Sequence, residues 1–191
     1  MLEDALRIHK KSELIEWINT ESIFYPVSTL DYLLQVSEMA ILKKHMILLR
    51  KAEYYTNTGL RFLAKLYVFR LLKLQNKYAL HVPLNCCGKG LHIMHLGPIL
   101  INDKATIGQN VALHINTGIV AGGTNNGAPT IGNGVVVGIG AVILGGVVIA
   151  DNTAIGANAV VNKDVLEENI AVAGVPAHKI SDHGRLEWNK K

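Results

Sequence analysis

The 191-residue sequence has little cysteine, no long apolar run and no recognisable export signal, and each shortage argues against a class of protein. Its two cysteines, Cys86 and Cys87, are adjacent, an arrangement that rarely forms a disulfide and supplies too few ligands for a zinc site. Although 49% of the residues are hydrophobic, no run reaches the roughly 18 apolar residues of a membrane span. The N-terminus lacks the apolar core of a signal peptide. We therefore expect a cytoplasmic protein with reduced cysteines.

Strong charge blocks and several common catalytic motifs are also missing. The net charge is +4, but the basic residues are spread over the N-terminal third and the C-terminal tail, so the sequence does not predict nucleic-acid binding. It contains neither a Walker-type phosphate loop nor a Gly-x-Ser-x-Gly elbow. No histidine–acid cluster has metal-ligand spacing, so we expect no metal site.

A strict period of six residues organises the segment from Ile131 to Leu166. This period matches neither the 3.6 residues of a helical turn nor the alternation of an isolated strand. It is typical of short strands that turn a corner every six residues, with three strands in each coil. The pattern predicts a left-handed parallel β-helix with about 18 residues per coil. The inward-facing aliphatic positions are Ile131, Val137, Ile143, Ile149, Ile155 and Val161.

The same phase extends towards the N-terminus through Ile101, Ile107, Leu113 and Ile119. The next position in phase is Asn125, inside the segment 122–127, which we interpret as a loop extruded from one coil. Regular coils are therefore predicted over residues 97–166, with an irregular coil before them. Gly, Asn and Asp tolerate positive φ. For that reason we expect tight bends at corner positions such as Gly134, Asn152 and Asn158.

The N-terminal part of the chain has helical spacing and predicts three helices, at residues 3–19, 29–51 and 59–78. Three regions follow: an α-helical cap (1–80), a β-helix domain (81–180) and a polar C-terminal tail (181–191). The third helix is both apolar and basic. We expect it to pack on a neighbouring helix or subunit, and a weak association with a membrane surface remains an open alternative.

The interior of a β-helix is filled by side chains, so a substrate must bind outside it. Prisms packed around a threefold axis leave clefts between neighbours, and we therefore expect a homotrimer with active sites between subunits. His95 is the leading candidate for a general base, because it falls where the repeat requires an aliphatic residue. His92 and His114 are the alternatives, and His114 should face outward.

A resemblance to a known family supports this choice. The run 88–95, the hexapeptides, the Gly122-Gly123 loop and the segment 173–177 resemble the serine acetyltransferase branch of the hexapeptide-repeat acyltransferases. The resemblance covers about residues 80–180. It implies an acetyl-CoA-dependent, trimeric O-acetyltransferase in which His95 is the general base. The helical front is similar to the short caps of acetyltransferases encoded among surface-polysaccharide enzymes.

Two departures from the family affect the expected acceptor. The aspartate that orients the family's base corresponds to Leu80, so His95 needs another partner, such as a backbone carbonyl. The loop residues that hold the serine carboxylate correspond to 126–129, which carry no positive charge, and an unpaired buried carboxylate is costly. We therefore expect a saccharide hydroxyl as acceptor, with L-serine as the alternative. The expected acceptor contacts are His92, His114, Asn116, Asn125 and Asn126.

The resemblance also predicts where acetyl-CoA binds. Backbone N–H groups of Gly122 and Gly123 would stabilise the developing oxyanion. The pantetheine arm would follow small residues, and Lys179 would meet the phosphates unless it is an ordinary solvated lysine. The small residues are Ala141, Ala157 and Ala159.

Two other functions use the same fold. A non-catalytic scaffold would have the same repeats, and a γ-carbonic-anhydrase-like zinc enzyme would place three histidines at subunit junctions. His92, His95 and His114 supply three histidines, but their spacing does not resemble that family's pattern.

Overall fold

The computed structural model describes residues 6–123 and 127–186, in which a helical cap precedes a coil of short strands. The predicted helix 29–51 is in fact two helices, because Gln35 ends the first with a left-handed φ of 53°. Ser37 then caps the second by accepting a hydrogen bond from the backbone N–H of Ala40. The helices are α1 Lys11–Ser22, α2 Thr29–Leu34, α3 Glu38–Asn57 and α4 Arg61–Tyr78.

The first and third predicted helices also differ at their ends. The first spans Lys11–Ser22, and residues 6–10, inside the predicted range, are not helical. At its start the Glu13 carboxylate accepts hydrogen bonds from the backbone N–H groups of His9 and Lys10. The third matches its prediction closely and spans Arg61–Tyr78. Within residues 6–123 and 127–186, no helix combines the length and apolar character needed to cross a bilayer.

The strands form three sheets that make the three sides of a prism. From His92 to Val161, successive strands belong to the three sheets in a repeating order. The first sheet has the order β1-β3-β6-β9-β12, the second β4-β7-β10 and the third β2-β5-β8-β11-β13-β14. All the strand pairs are parallel except β13 with β14. The predicted β-helix is therefore confirmed. The strands are β1 Leu80–His81, β2 His92–Ile93, β3 Ile99–Ile101, β4 Thr106–Ile107, β5 Ala112–Leu113, β6 Thr117–Val120, β7 Thr130–Ile131, β8 Val136–Val137, β9 Val142–Leu144, β10 Val148–Ile149, β11 Ala154–Ile155, β12 Val160–Val161, β13 Ala171–Gly174 and β14 Ala177–Ser181.

The positions that the six-residue repeat predicts to face inward form the core. Ile131 pairs with Ile149, 18 positions later, whereas Ile107 pairs with Ile131, 24 positions later, because that coil carries the predicted extruded loop. Every predicted inward position from Ile101 to Val161, apart from the loop position, is buried. Gly134, Asn152 and Asn158 have positive φ, as expected for corners.

His95 does not occupy the inward position predicted for it. In the first coil Ile93 pairs with Leu113, 20 positions later rather than 18. The two extra residues place Ile93 in the core and move His95 into the corner after β2. The prediction that His95 replaces an interior aliphatic residue is therefore wrong.

The start of the predicted polar tail is attached to the coils. Strand β14 extends to Ser181, and the backbone N–H of Arg185 donates a hydrogen bond to the Asn152 carbonyl at 2.8 Å. The next N–H, of Leu186, donates to the Asn169 side chain. Residues 181–186 thus pack on the β-helix.

The cap and the first coil are joined by a buried ion-pair network centred on Arg50. The Arg50 guanidinium lies 2.6 Å from a Glu21 carboxylate oxygen and 2.9 Å from one of Glu53, and all three side chains are fully buried. It also donates hydrogen bonds to the carbonyls of Cys87 and Gly88. Burial alone would lower the pKa of Arg50, but the two carboxylates raise it above its usual value.

The same junction covers the open edge of β2. The Glu21 carboxylate accepts hydrogen bonds from the N–H groups of Gly90 and Leu91. The Tyr25 hydroxyl donates to the Ile93 carbonyl and accepts from the Ile93 N–H, both at 3.0 Å. An uncovered strand edge presents unpaired backbone groups that favour aggregation. The cap therefore completes the first coil.

We predict that Arg50→Met lowers the free energy of unfolding by about 3–5 kcal/mol, because it leaves two buried carboxylates without their cation. Urea denaturation followed by circular dichroism measures this change. Arg61→Met, at an exposed position, is the control and should change stability by less than about 0.5 kcal/mol. Equal effects of the two substitutions would contradict the role assigned to Arg50.

Candidate active site

His95 lies at the surface, in the corner between β2 and β3, where it is paired with Glu38. Its Nδ1 is 3.1 Å from one Glu38 carboxylate oxygen, and the other oxygen accepts a hydrogen bond from the Leu96 N–H at 3.3 Å. Glu38 is the first residue of α3. When Nδ1–H donates to the carboxylate, Nε2 of the neutral ring is left as a proton acceptor. The pair therefore has the arrangement of a general base and its orienting acid.

Both side chains of this pair are accessible in the single chain. His95 is 56% exposed and Glu38 is 44% exposed. The imidazole is therefore open to an acceptor molecule or to another subunit, and it is not enclosed within the prism.

Two further histidines lie close to His95. The rings of His95 and His114 are 5.9 Å apart, whereas His92 stacks on Phe24 at 4.3 Å. Burial, followed by the charges of Arg185 and the other two histidines, lowers the pKa of His92 to about 4. Burial and the charge of His95 also lower the pKa of His114. These two rings are thus held neutral at pH 7.

Arg185 is a cation whose charge acts on His92, and sequence analysis did not single it out. It is half-buried, and its Nη1 is a buried nitrogen with no hydrogen-bond partner within the described part of the chain. Burial lowers its pKa below the usual arginine value. An unpaired, partly desolvated guanidinium is a ready partner for a carboxylate or a phosphate.

A groove of about 340 Å³ begins at His114 and runs over the outer face of the third sheet. Its walls are mainly apolar, and half of its lining residues are glycine or alanine. It is lined by His114, Gly138, Ile139, Ala154, Ile155, Gly156, Ala157, Ala171, Val172 and Ile180.

Of the three alanines predicted to lie along the pantetheine arm, one lines the groove and two do not. Ala157 is exposed and lines the groove. Ala141 and Ala159 have no exposed surface, because the position two residues before an inward aliphatic residue also faces the interior. These two alanines cannot line an external groove, and that prediction is wrong for them.

Lys179 is already paired with carboxylates. Its Nζ lies 2.5 Å from Glu167 and 2.6 Å from Asp182. The hydrogen bonds with Asp182 and Glu167 raise the pKa of Lys179. This arrangement favours the alternative stated above, a solvated surface lysine, over a contact with phosphates.

The Gly122-Gly123 segment and His95 lie at different corners of the prism. His95 and His114 follow strands of the third sheet, whereas Gly122 and Gly123 follow β6 of the first sheet. Within one chain the two features are separated by a full side of the prism.

The predicted asparagines are only partly described. Asn116 is exposed at the same corner as His95, and its N–H donates to the Pro98 carbonyl at 2.6 Å. Its role as an acceptor contact remains a prediction. Asn125 and Asn126 lie outside the described residues.

Sequence reasoning missed Glu38 because it placed this residue inside one long helix. The signal available was Ser37 followed by an acidic residue, which is typical of a helix N-terminus.

Among the described residues, no group of three His, Cys, Asp or Glu side chains is arranged to hold a metal ion.

Comparison of the sequence with protein-family models supports the β-helix fold. Residues 128–163 match the family model for the bacterial transferase hexapeptide, in its form with six repeats. The matched repeats and the prism together resemble those of the hexapeptide-repeat acyltransferases. Within that class the chain resembles the serine acetyltransferase branch, so the resemblance seen in the sequence is confirmed.

The sequence similarity to curated relatives extends over about half of this chain. A serine acetyltransferase of Staphylococcus aureus (strain N315) is 37% identical over 101 residues, which cover 51% of this chain and 46% of the relative. One from Staphylococcus epidermidis (strain ATCC 12228) is 33% identical over 102 residues, with the same coverage. The chain thus spans slightly less than half the length of these curated relatives.

Solved structures resemble a larger part of the chain. A serine acetyltransferase of Neisseria gonorrhoeae in complex with serine has a TM-score of 0.64 and 24% identity, covering 90% of this chain and 70% of the other. One from Brucella abortus in complex with coenzyme A has a TM-score of 0.59 and 22% identity, covering 90% and 68%. At these identities the likeness establishes the fold.

We predict that His92 stays neutral down to about pH 4, because its protonation would place a charge in a half-buried position against Phe24. Titration of the imidazole resonances by NMR, assigned through His92→Gln, measures this pKa. Phe24→Ala should raise it by removing part of the burial. A midpoint near 6.5 in the parent protein would contradict the prediction.

Proposed function

We propose that this protein is an acetyl-CoA-dependent O-acetyltransferase with L-serine as acceptor. The observation that carries the proposal is the His95–Glu38 pair beside a thin apolar groove that begins at His114. The relatives named serine acetyltransferase support the reaction class and favour serine over the saccharide expected from sequence.

In this proposal His95 is the general base. Its Nε2 takes the proton of the acceptor hydroxyl, which makes the oxygen nucleophilic at neutral pH. Glu38 acts as a positioning residue: its carboxylate holds the Nδ1–H tautomer and stabilises the imidazolium that forms. A carboxylate therefore replaces the backbone carbonyl suggested as the partner of His95.

The groove is the proposed place for the pantetheine arm, and acetyl-CoA supplies the acetyl group as an activated thioester. The fit rests on the apolar walls of the groove and on the exposed Ala157, where no larger side chain blocks the path. His114, neutral because burial lowers its pKa, would contribute an uncharged polar group at the end of the groove nearest His95.

Two features bear on the acceptor. Arg185, a cation whose charge helps to lower the pKa of His92, supports an anionic acceptor group such as the serine carboxylate. A saccharide hydroxyl is the second candidate, favoured by the absence of a cation at Gly127, Ala128 and Pro129 among the described loop residues.

We also propose a homotrimer with its active sites between subunits. His95 and the Gly122-Gly123 segment lie at different corners of one prism, so a neighbouring protomer is needed to bring them together. The exposure of His95 and Glu38 in the single chain leaves room for that neighbour. Sedimentation analysis of the purified protein tests the assembly directly.

We predict that His95→Ala lowers kcat by about 10²–10⁴-fold, the range for loss of a general base. Glu38→Gln should lower kcat by a smaller factor and change the pH profile, with little effect on the KM for acetyl-CoA, because the residue acts through His95. Release of free thiol from acetyl-CoA, in the presence of acceptor, measures both effects.

Glu38→Asp and Glu168→Gln are the matched variants for this test. The aspartate should recover part of the activity lost in Glu38→Gln, and loss of the exposed Glu168 carboxylate should leave kcat unchanged. Full activity of His95→Ala would refute the assignment of the base. An unaltered pH profile in Glu38→Gln would refute the role of its carboxylate.

We predict that Arg185→Gln raises the KM for L-serine by about 10- to 100-fold, the effect of losing a charge-assisted hydrogen bond, and does not alter turnover of a neutral sugar. Assays with L-serine and a panel of sugars and nucleotide sugars measure this contrast. Arg61→Gln is the control. Turnover with sugars alone, unaffected by Arg185→Gln, would replace serine by the second candidate.

A further inference from the structure

The helical cap contains a cationic pocket in which none of the clustered histidines takes part. The pocket has a volume of about 380 Å³ and lies between the end of α2, the middle of α3 and the second half of α4. Its lining residues are Gln35, Lys44, Leu48, Phe69, Arg70, Lys73, Leu74 and Lys77.

The charge of this pocket is not balanced by the protein. Four of its lining residues are cations and none is a carboxylate. Within the described residues Lys44, Arg70 and Lys73 form no ion pair, while Lys77 lies over the ring of Tyr78 at 5.0 Å. Like charges around one cavity repel each other, and a bound anion relieves that repulsion.

The surface beside the pocket is apolar as well as basic. Phe62 is 80% exposed and Phe69, part of the pocket wall, is 67% exposed. Leu66 and Leu72 are also exposed on α4, and the helix contains five basic residues and no acidic one. This combination is typical of a helix that lies in the headgroup region of a bilayer.

We propose that the pocket binds the headgroup phosphate of an anionic membrane lipid, with α4 lying on the bilayer surface. Phe62 and Phe69 then enter the boundary between headgroups and acyl chains, and Arg70 and Lys73 hold the phosphate.

The alternatives fit these observations less well. Binding of free phosphate would account for the four cations but not for the two exposed phenylalanines. A second copy packed symmetrically on this helix would place five cations against five cations, which is repulsive. A lipid surface offers phosphate groups to the cations and an apolar boundary to the exposed phenylalanines.

Vesicle binding by the 191-residue protein tests the proposal. We expect co-sedimentation with vesicles of phosphatidylglycerol and phosphatidylcholine, weakened by salt, and no co-sedimentation with phosphatidylcholine alone. The triple variant Lys44→Gln, Arg70→Gln, Lys73→Gln should lose roughly 100-fold in affinity, since each basic residue near an anionic surface contributes a factor of about five. Phe62→Ser with Phe69→Ser should also weaken binding.

A variant with the same loss of charge elsewhere is the control. Lys11→Gln, Lys104→Gln, Lys163→Gln removes three exposed lysines outside the pocket and should change the affinity by less than about threefold. Circular dichroism and acetyl-transfer assays check that each variant is folded.

Three results would overturn the proposal. The first is an equal loss in the control and pocket variants, which would indicate unspecific charge attraction. The second is binding of inorganic diphosphate in calorimetry without any binding to vesicles, which would make the site one for soluble phosphate. The third is a change of oligomeric state in the pocket variant with no vesicle binding by the parent, which would assign the surface to another copy of the chain.

Discussion

The buried contact between Arg50 and two glutamates is the constraint on which the rest of this structure depends. A β-helix has an open edge at its first coil, and the backbone groups of that edge need partners. Glu21 and Arg50 supply them from the helical cap, and both buried carboxylates, those of Glu21 and Glu53, contact the Arg50 guanidinium. The cap is therefore fixed on the coil.

The position of the candidate active site follows from that junction. Because α1 and α3 are held against the first coil, the N-terminus of α3 reaches the corner after β2, where Glu38 meets His95. Leu80, which corresponds to the aspartate that orients the base in the family this chain resembles, is a buried core residue in β1. The carboxylate beside the Nδ1 of His95 comes from a different element, α3.

How far the sequence could predict these features depends on the range of the interactions. The six-residue phase predicted the interior positions from Ile101 to Val161 and the corners at Gly134, Asn152 and Asn158, because each depends on its own coil and the next. It failed for His95, since two extra residues in one coil shift the phase without leaving a local signal. It also failed for Ala141 and Ala159, which are small because they face the interior.

The sequence by itself determined the β-helix and the helical cap, because repeats and helices are encoded by local periodicity. Only the tertiary structure decided that His95 lies in a corner and which groups surround it. Glu38 is 57 residues from His95 in the chain, and Arg185 is 93 residues from His92. Contacts over such separations depend on how the cap and the C-terminal segment pack on the prism, and no local pattern specifies that packing.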